Sequence, residues 1–208
     1  WQSMLLIILV AQLFFGLSSE GYDRLSTAHL LANFTFPTLW QLKPVAWFGI
    51  FSIAGTLLSL TITELIKRRL DLNNQRMAIA ALFSLNLLNI VCILVFALTG
   101  NFWLAVLAYL SYASFRSAMR PVWMTWMTRN TDAGTRATVI SLVGQVDALG
   151  QIAGGPPVGY IGNAFSLRTA LATVSVILSP VLLLFAYAWR KAVPKGEPVE
   201  EDRVSEPV

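Results

Sequence analysis

Ionisable side chains interrupt three otherwise apolar stretches of the sequence, and these are the residues that could carry chemistry. The stretch 102–128 contains the most conspicuous set. Because successive residues of an α-helix turn by about 100°, five of its side chains fall within about 80° of arc. They are Tyr109, Tyr112, Arg116, Arg120 and Trp123. Aromatic rings permit a large apolar or cationic ligand, whereas the two arginines would favour an anionic group.

Two further stretches place polar residues on one helical face. Near the N-terminus this face carries Gln12, Ser19 and Asp23, with Glu20 at its margin. In the stretch 137–161, Asp147 shares a face with small and polar residues. An ionisable group inside a membrane span costs at least a few kcal/mol, so it usually faces protein or water. For Glu20 and Asp23, simple placement at the membrane interface remains an alternative.

Depth along the helices suggests a partner for Asp147. At about 1.5 Å per residue, Asp147 lies about 15 Å from the end of its helix that carries basic residues. Arg116 lies about 18 Å and Arg120 about 12 Å from the same end. Helices joined by a short loop are expected to be neighbours. The sequence therefore predicts that Asp147 is a counter-ion to one of these arginines.

Glycine and proline residues follow Asp147 at spacings typical of close helix packing. Glycines four residues apart let a neighbouring backbone approach, and prolines remove amide donors and favour a kink. Close packing beside a kink is common architecture, and it also suits a hinge. The predicted hinge and close-packing residues are Gly150, Gly154, Gly155, Pro156, Pro157 and Gly159.

The composition indicates the solvent around these residues. Of 208 residues, 56% are hydrophobic and only 12% are charged, whereas a soluble domain has about 25% charged residues. The chain is therefore expected to be an all-α, polytopic membrane protein, with residues 1–192 forming a six-helix bundle and 193–208 a disordered tail. The predicted spans are 2 into the twenties, 45–66, 77–99, 102–128, 137–161 and 169–189.

Basic residues predict the orientation of the bundle. Ten lysines and arginines fall in the loops after the even-numbered spans and in the tail, against three on the other side. Basic loops mark the cytoplasmic side, so the C-terminus is expected to be cytoplasmic. The net charge of +4 is too small and scattered to suggest a nucleic-acid partner.

In this order, the motifs resemble the C-terminal half of a bacterial, efflux-type major facilitator superfamily transporter. TELIKRRLDLNNQR resembles the family's short basic loop, although it lacks both glycines and has Glu64 as its acid. YASFRSAMRP followed by DAGTRATVISLVGQVDALGQIAGGPPVG resembles its arginine-bearing helix, charged loop and Gly-Pro helix. LFFGLSSEGYDRLSTAHLL resembles its seventh helix.

The resemblance implies a division of roles among the polar residues. The first and fourth spans would line a central cavity, and Arg116 would be the cavity arginine. Tyr109, Tyr112 and Trp123 would contact substrate, opposite Gln12, Ser19, Glu20 and Asp23. The fifth span would be a rocking helix with Asp147 as its ionic latch.

We therefore expect a secondary transporter that exports a small molecule by alternating access, with proton coupling, in the inner membrane. Glu20, Asp23 and Asp147 are the candidate proton carriers, with Asp147 the weaker one because a paired arginine would favour its ionised form. The chain begins inside an apolar run, so a preceding six-helix half or a second copy is an expected partner. One cysteine, one histidine and no phosphate-binding loop argue against a metal, a cofactor and an enzyme. The alternative is a membrane assembly or sensor subunit whose buried charges only lock helices together.

Overall fold

The computed structural model describes residues 2–37, 43–69 and 74–192, and all regular structure in these ranges is α-helical. The all-α fold is thereby confirmed. The predicted disordered tail, 193–208, lies outside the described residues. The helices are α1 Gln2–Asn33, α2 Pro44–Arg69, α3 Gln75–Leu98, α4 Phe102–Arg129, α5 Arg136–Ala164, α6 Leu167–Leu178 and α7 Pro180–Lys191.

Within the described ranges, four segments are long and apolar enough to cross a membrane, and they are α1, α2, α3 and the pair α6 and α7 taken together. Helices α4 and α5 are as long, with 28 and 29 residues. They fall short in apolar character because α4 contains Arg116 and Arg120, while α5 contains Asp147 and many glycines. Length and composition therefore support a membrane-embedded bundle, with four of the six predicted spans meeting both criteria.

Polar side chains set several helix boundaries. Asn74 caps α3, Asn101 caps α4 and Ser166 caps α6, each accepting hydrogen bonds from backbone amides of the first turn. The predicted sixth span is instead divided between α6 and α7. Pro180 begins α7, and because it lacks an N–H it cannot continue the hydrogen-bond ladder of α6.

The helices pack in an interleaved scheme. Helix α1 packs mainly on α5 and α6, and α4 packs mainly on α3 and α2. Helix α3 also packs on α6 and α7. These pairs are unchanged when the first three helices are exchanged with the last three, counting α6 and α7 as one span, whereas the packing of α5 on α6 has no counterpart between α2 and α3. By contrast, α1 and α4 touch only sparsely, which leaves a cleft between them.

Aromatic side chains close the cleft at one end. Phe15 of α1 packs edge-on against Trp123 of α4, with 5.3 Å between ring centroids. Trp126 and Phe185 extend this group, and both are almost fully buried. In contrast, the outer face of α2 is apolar and open, since Val45 is 80% exposed. An apolar outer face of this kind suits contact with lipid.

Candidate functional site

The cleft between α1 and α4 contains a cavity of about 220 Å³ that reaches α3, α5 and α6. Most of its lining side chains are polar, aromatic or charged, which is unusual inside a bundle of apolar helices. They are Gln12, Phe15, Ser18, Ser19, Asn86, Asn89, Tyr112, Arg116, Met119, Arg120, Trp123, Asp147, Gln151 and Leu178. The structure thus brings together polar residues that the sequence places on four separate spans.

The aromatic and guanidinium stripe of α4 is divided between this cavity and a second cleft. The second cleft, of about 340 Å³, is lined by 22–27 of α1 and by 109–120 of α4. Tyr109 belongs to the second cleft alone and Trp123 to the cavity alone. Tyr112, Arg116 and Arg120 line both, so the two spaces follow one another along α4 and meet at these residues.

One ion pair and one ring contact join α1 to α4 where the two spaces meet. Arg116 Nη1 donates a hydrogen bond to Asp23 Oδ1 at 2.7 Å. The rings of Tyr22 and Tyr112 lie with centroids 4.1 Å apart, and the Arg116 guanidinium lies 5.9 Å from the Tyr112 ring centroid. Because α1 and α4 otherwise touch little, these groups form the constriction between the cavity and the second cleft.

The predicted pairing of Asp147 with an arginine is wrong. Both carboxylate oxygens accept from glutamine amides instead: Gln12 Nε2 donates to Oδ1 and Gln151 Nε2 donates to Oδ2, each at 2.8 Å. Arg116 is paired with Asp23, and Arg120 has no ion-pair partner in residues 2–37, 43–69 and 74–192. Asp147 is thus solvated by amide donors on its own helix and on α1.

Glycine contacts explain why α5 lies against α1 and not against α4. A Cβ built on Gly150 would lie 2.6 Å from the carbonyl oxygen of Leu13 and 3.0 Å from Cα of Gly16. A Cβ on Gly154 would lie 2.6 Å from Cα of Leu17. The two backbones can meet only because these positions are glycines. Helices α4 and α5 are consecutive in the chain but are not among the packed pairs.

The remaining predicted residues on this side have smaller roles in the geometry. Ser19 is buried and donates to the backbone carbonyl of Gly16, while Glu20 forms an ion pair with Arg24 one turn further along α1. A Cβ on Gly155 would lie 2.9 Å from Cγ of Glu20. Gly159, in contrast, has no atom within 4 Å of the same position and makes no close contact.

The predicted hinge prolines lie on the exposed side of α5. The helix is assigned without a break from Arg136 to Ala164, through Pro156 and Pro157. The helix interruption occurs instead at Pro180, within the predicted span 169–189. A kink at Pro156 stays a prediction.

Sequence reasoning overlooked two residues of the cavity, Asn86 and Asn89 of α3. Amides within an apolar span are expected to form interhelical hydrogen bonds, and Asn89 Nδ2 does donate to the thioether sulfur of Met119 on α4, at 4.0 Å. In the structure both amide atoms of Asn86 and the Oδ1 of Asn89 are buried without a hydrogen-bond partner. The available signal was their spacing, because residues three apart on a helix share a face. Two amides on one face of a strongly apolar helix predict that this face borders a polar space inside the bundle.

No group of three or more His, Cys, Asp or Glu side chains suited to a metal ion occurs in the part of the chain that the structure describes. No protein-family model matches the sequence, and no curated protein is significantly similar to it.

Proposed function

We propose that this chain is one six-helix half of a secondary active transporter of the major facilitator type, which moves a small molecule by alternating access. The observation that supports this most directly is the polar cavity between α1 and α4. Polar groups inside a membrane bundle are costly and typically mark substrate or ion pathways. The cavity also lies between two helices that are in sparse contact and can therefore separate.

The packing scheme supports the same proposal. Many secondary transporters consist of structural repeats, with the substrate site where the repeats meet. Here most of the packing pairs are preserved when the first and last three helices are exchanged, the α5–α6 pair being the exception, and the equivalent helices α1 and α4 form the cavity walls. The missing half, or a second copy of the chain, would complete the pathway. The basic loops and the C-terminus would lie on the cytoplasmic side, in the inner membrane.

The constriction between the two spaces is suited to act as a gate. Breaking the Asp23–Arg116 ion pair and separating the Tyr22–Tyr112 contact would join the cavity to the second cleft. Both side chains of the ion pair are about half exposed, so water can replace the interaction at little cost. A substrate with an anionic group could compete with Asp23 for Arg116, which would couple binding to opening.

Proton coupling would be assigned to Asp147 in preference to Glu20 and Asp23. The latter two are each paired with an arginine, so their protonation would break an ion pair. Asp147 is held by two amides and has no cationic partner in the described ranges. Protonation of Asp147 would instead weaken the link between α1 and α5. Export coupled to inward proton movement is the direction that we propose.

The alternative function, a membrane assembly or sensor subunit, is favoured by one specific observation. Asp147, Gln12 and Gln151 tie α1 to α5 beside the glycine contacts, and this arrangement would be useful even without transport. It predicts that neutral replacement of Asp147 destabilises the bundle without a selective effect on flux.

Inside-out membrane vesicles containing the whole protein distinguish the two functions. After respiration acidifies the lumen, a pH-sensitive dye reports proton release when aromatic cations, anions or neutral compounds are added. We expect release with at least one compound and its loss in Asp147→Asn, at unchanged protein level. Asp132→Asn, in the exposed loop after α4, is the matched control. Arg116→Gln is compared in the same way with Arg136→Gln.

If no compound releases protons while the protein is folded in the membrane, transport by proton exchange is wrong. If Asp147→Asn and Asp132→Asn behave alike, the assignment of Asp147 is wrong.

A further inference from the structure

The floor of the cavity contains hydrogen-bonding groups that the protein itself leaves unused. Among the described residues, seven buried side-chain nitrogen or oxygen atoms have no partner. Four of these belong to cavity residues: Nδ2 and Oδ1 of Asn86, Oδ1 of Asn89 and Nε1 of Trp123. Buried polar groups are normally hydrogen-bonded, so each such group needs an explanation.

The two asparagines are deeply buried and lie on the same face of α3. Asn86 is 0% exposed and Asn89 is 3% exposed, and both line the cavity. The Nδ2 atom of Asn89 lies 4.0 Å from the thioether sulfur of Met119, which is a weak hydrogen-bond acceptor. A methionine side chain is flexible, so rotation of Met119 can open a path to these amides.

The unused groups define what a ligand must offer. They comprise two kinds of donor, an amide N–H and an indole N–H, and two amide oxygen acceptors. A simple anion would leave the oxygens unpaired, and a simple cation would leave the N–H groups unpaired. If the amide of Asn86 is turned so that its nitrogen and oxygen change places, both atoms are still without a partner, and the same donor and acceptor remain available to a ligand.

The cavity walls restrict the rest of the ligand. Phe15, Tyr112 and Trp123 present aromatic rings to the same space. A planar ring can stack on these side chains while a substituent reaches the floor.

We infer that Asn86 and Asn89 form a subsite for a carboxamide or lactam group carried on a planar aromatic ring. Such a group donates and accepts side by side, as the amide of Asn86 does. This inference rests on the proposed function, because it names the substrate class of the same cavity.

Nicotinamide and two close analogues test this subsite by equilibrium dialysis against the whole protein in lipid nanodiscs. Nicotinamide carries the carboxamide, 3-acetylpyridine replaces the amide nitrogen by a methyl group, and nicotinate carries a carboxylate. We expect nicotinamide to bind at least about tenfold more tightly than either analogue, because a polar site rejects a ligand that leaves its groups unpaired.

Variants locate the preference. Asn86→Leu keeps the number and branching of the side-chain heavy atoms but removes the amide, so we expect the preference for nicotinamide to disappear. The unfolding temperature should stay unchanged or rise, because the variant also removes an unpaired buried amide. Ser175→Ala is the control: Ser175 is 2% exposed, lies outside the cavity lining and donates to the carbonyl of Ala172. This variant should keep the preference.

Three results would each overturn the inference: no binding of nicotinamide, equal binding of nicotinamide and 3-acetylpyridine, or a preference that survives in Asn86→Leu. The comparison of ligands on the unaltered protein decides the matter even if Asn86→Leu does not fold. Equilibrium binding requires no flux. Proton release in vesicles without nicotinamide binding therefore refutes the subsite alone, while binding without proton release refutes the transport function.

Discussion

The glycine contact between α1 and α5 makes a sharp prediction about stability. Replacing Gly154 by alanine places a Cβ 2.6 Å from Cα of Leu17, although carbon atoms pack best at about 3.5–4.0 Å. The obstacle is backbone, which no side-chain rotation can clear, so the two helices must separate by roughly 1 Å. Overpacking of this kind costs about 1–3 kcal/mol.

Gly159→Ala is the matched control, five residues further along the same helix. No atom lies within 4 Å of its added Cβ, so the methyl group has room. Alanine also favours a helix over glycine by up to about 1 kcal/mol. The same propensity gain applies to Gly154→Ala and cancels in the comparison, so we expect Gly154→Ala to be less stable than Gly159→Ala by about 1–3 kcal/mol.

Thermal unfolding in detergent, followed with a maleimide dye that becomes fluorescent on reaction with a thiol, measures this difference. Cys92 of α3 is a half-buried reporter and is the chain's single cysteine. We expect Gly154→Ala to unfold at a lower temperature than the unaltered protein and Gly159→Ala at the same or a higher one. Equal unfolding temperatures for the two variants would show that α1 and α5 are not in backbone contact.

Three further predictions concern individual contacts. Asp147→Ala leaves two glutamine amides without their acceptor and should lower the free energy of unfolding by about 1–3 kcal/mol. Asp147→Asn should lower it less. Equal losses in chemical unfolding would contradict the hydrogen bonds. A double-mutant cycle with Asp23→Asn and Arg116→Gln should give a coupling free energy of only about 0.2–1 kcal/mol, because the ion pair is half exposed. A coupling free energy of zero would show that the two side chains are not paired. Gly155→Ala should lower the unfolding temperature of the protein, and adding Glu20→Ala should restore it, because the added methyl group meets the Glu20 side chain. An unfolding temperature that stays low in the double variant would contradict this contact.

Much of the helical architecture can be predicted from the sequence, because long apolar stretches, capping residues and basic loops are local signals. The division at Pro180 also has a local signal in the sequence, namely a proline within an apolar run. It was missed because the surrounding residues are apolar enough for one continuous span.

The candidate site was predictable only in part, and Asp147 shows why. Depth along a helix and chain order both favoured an arginine of α4, yet the glycines of α5 bring that helix to α1. Which neighbour a close-packing helix selects depends on the shapes of two surfaces, and a single sequence does not reveal their match. Asn86 was misjudged for the same reason, because its lack of a partner is a property of the assembled bundle.

The interleaved packing also determines when the bundle can form during translation. Gln12 and Asp147 are 135 residues apart in the chain, so α1 leaves the ribosome long before its main neighbour exists. At roughly 5–20 residues per second, α1 waits about 7–27 s for α5. During that interval Gly16 lacks the backbone of Asp147 and Gly150 that later lies against it, whereas Asp23 can already meet Arg116 of α4.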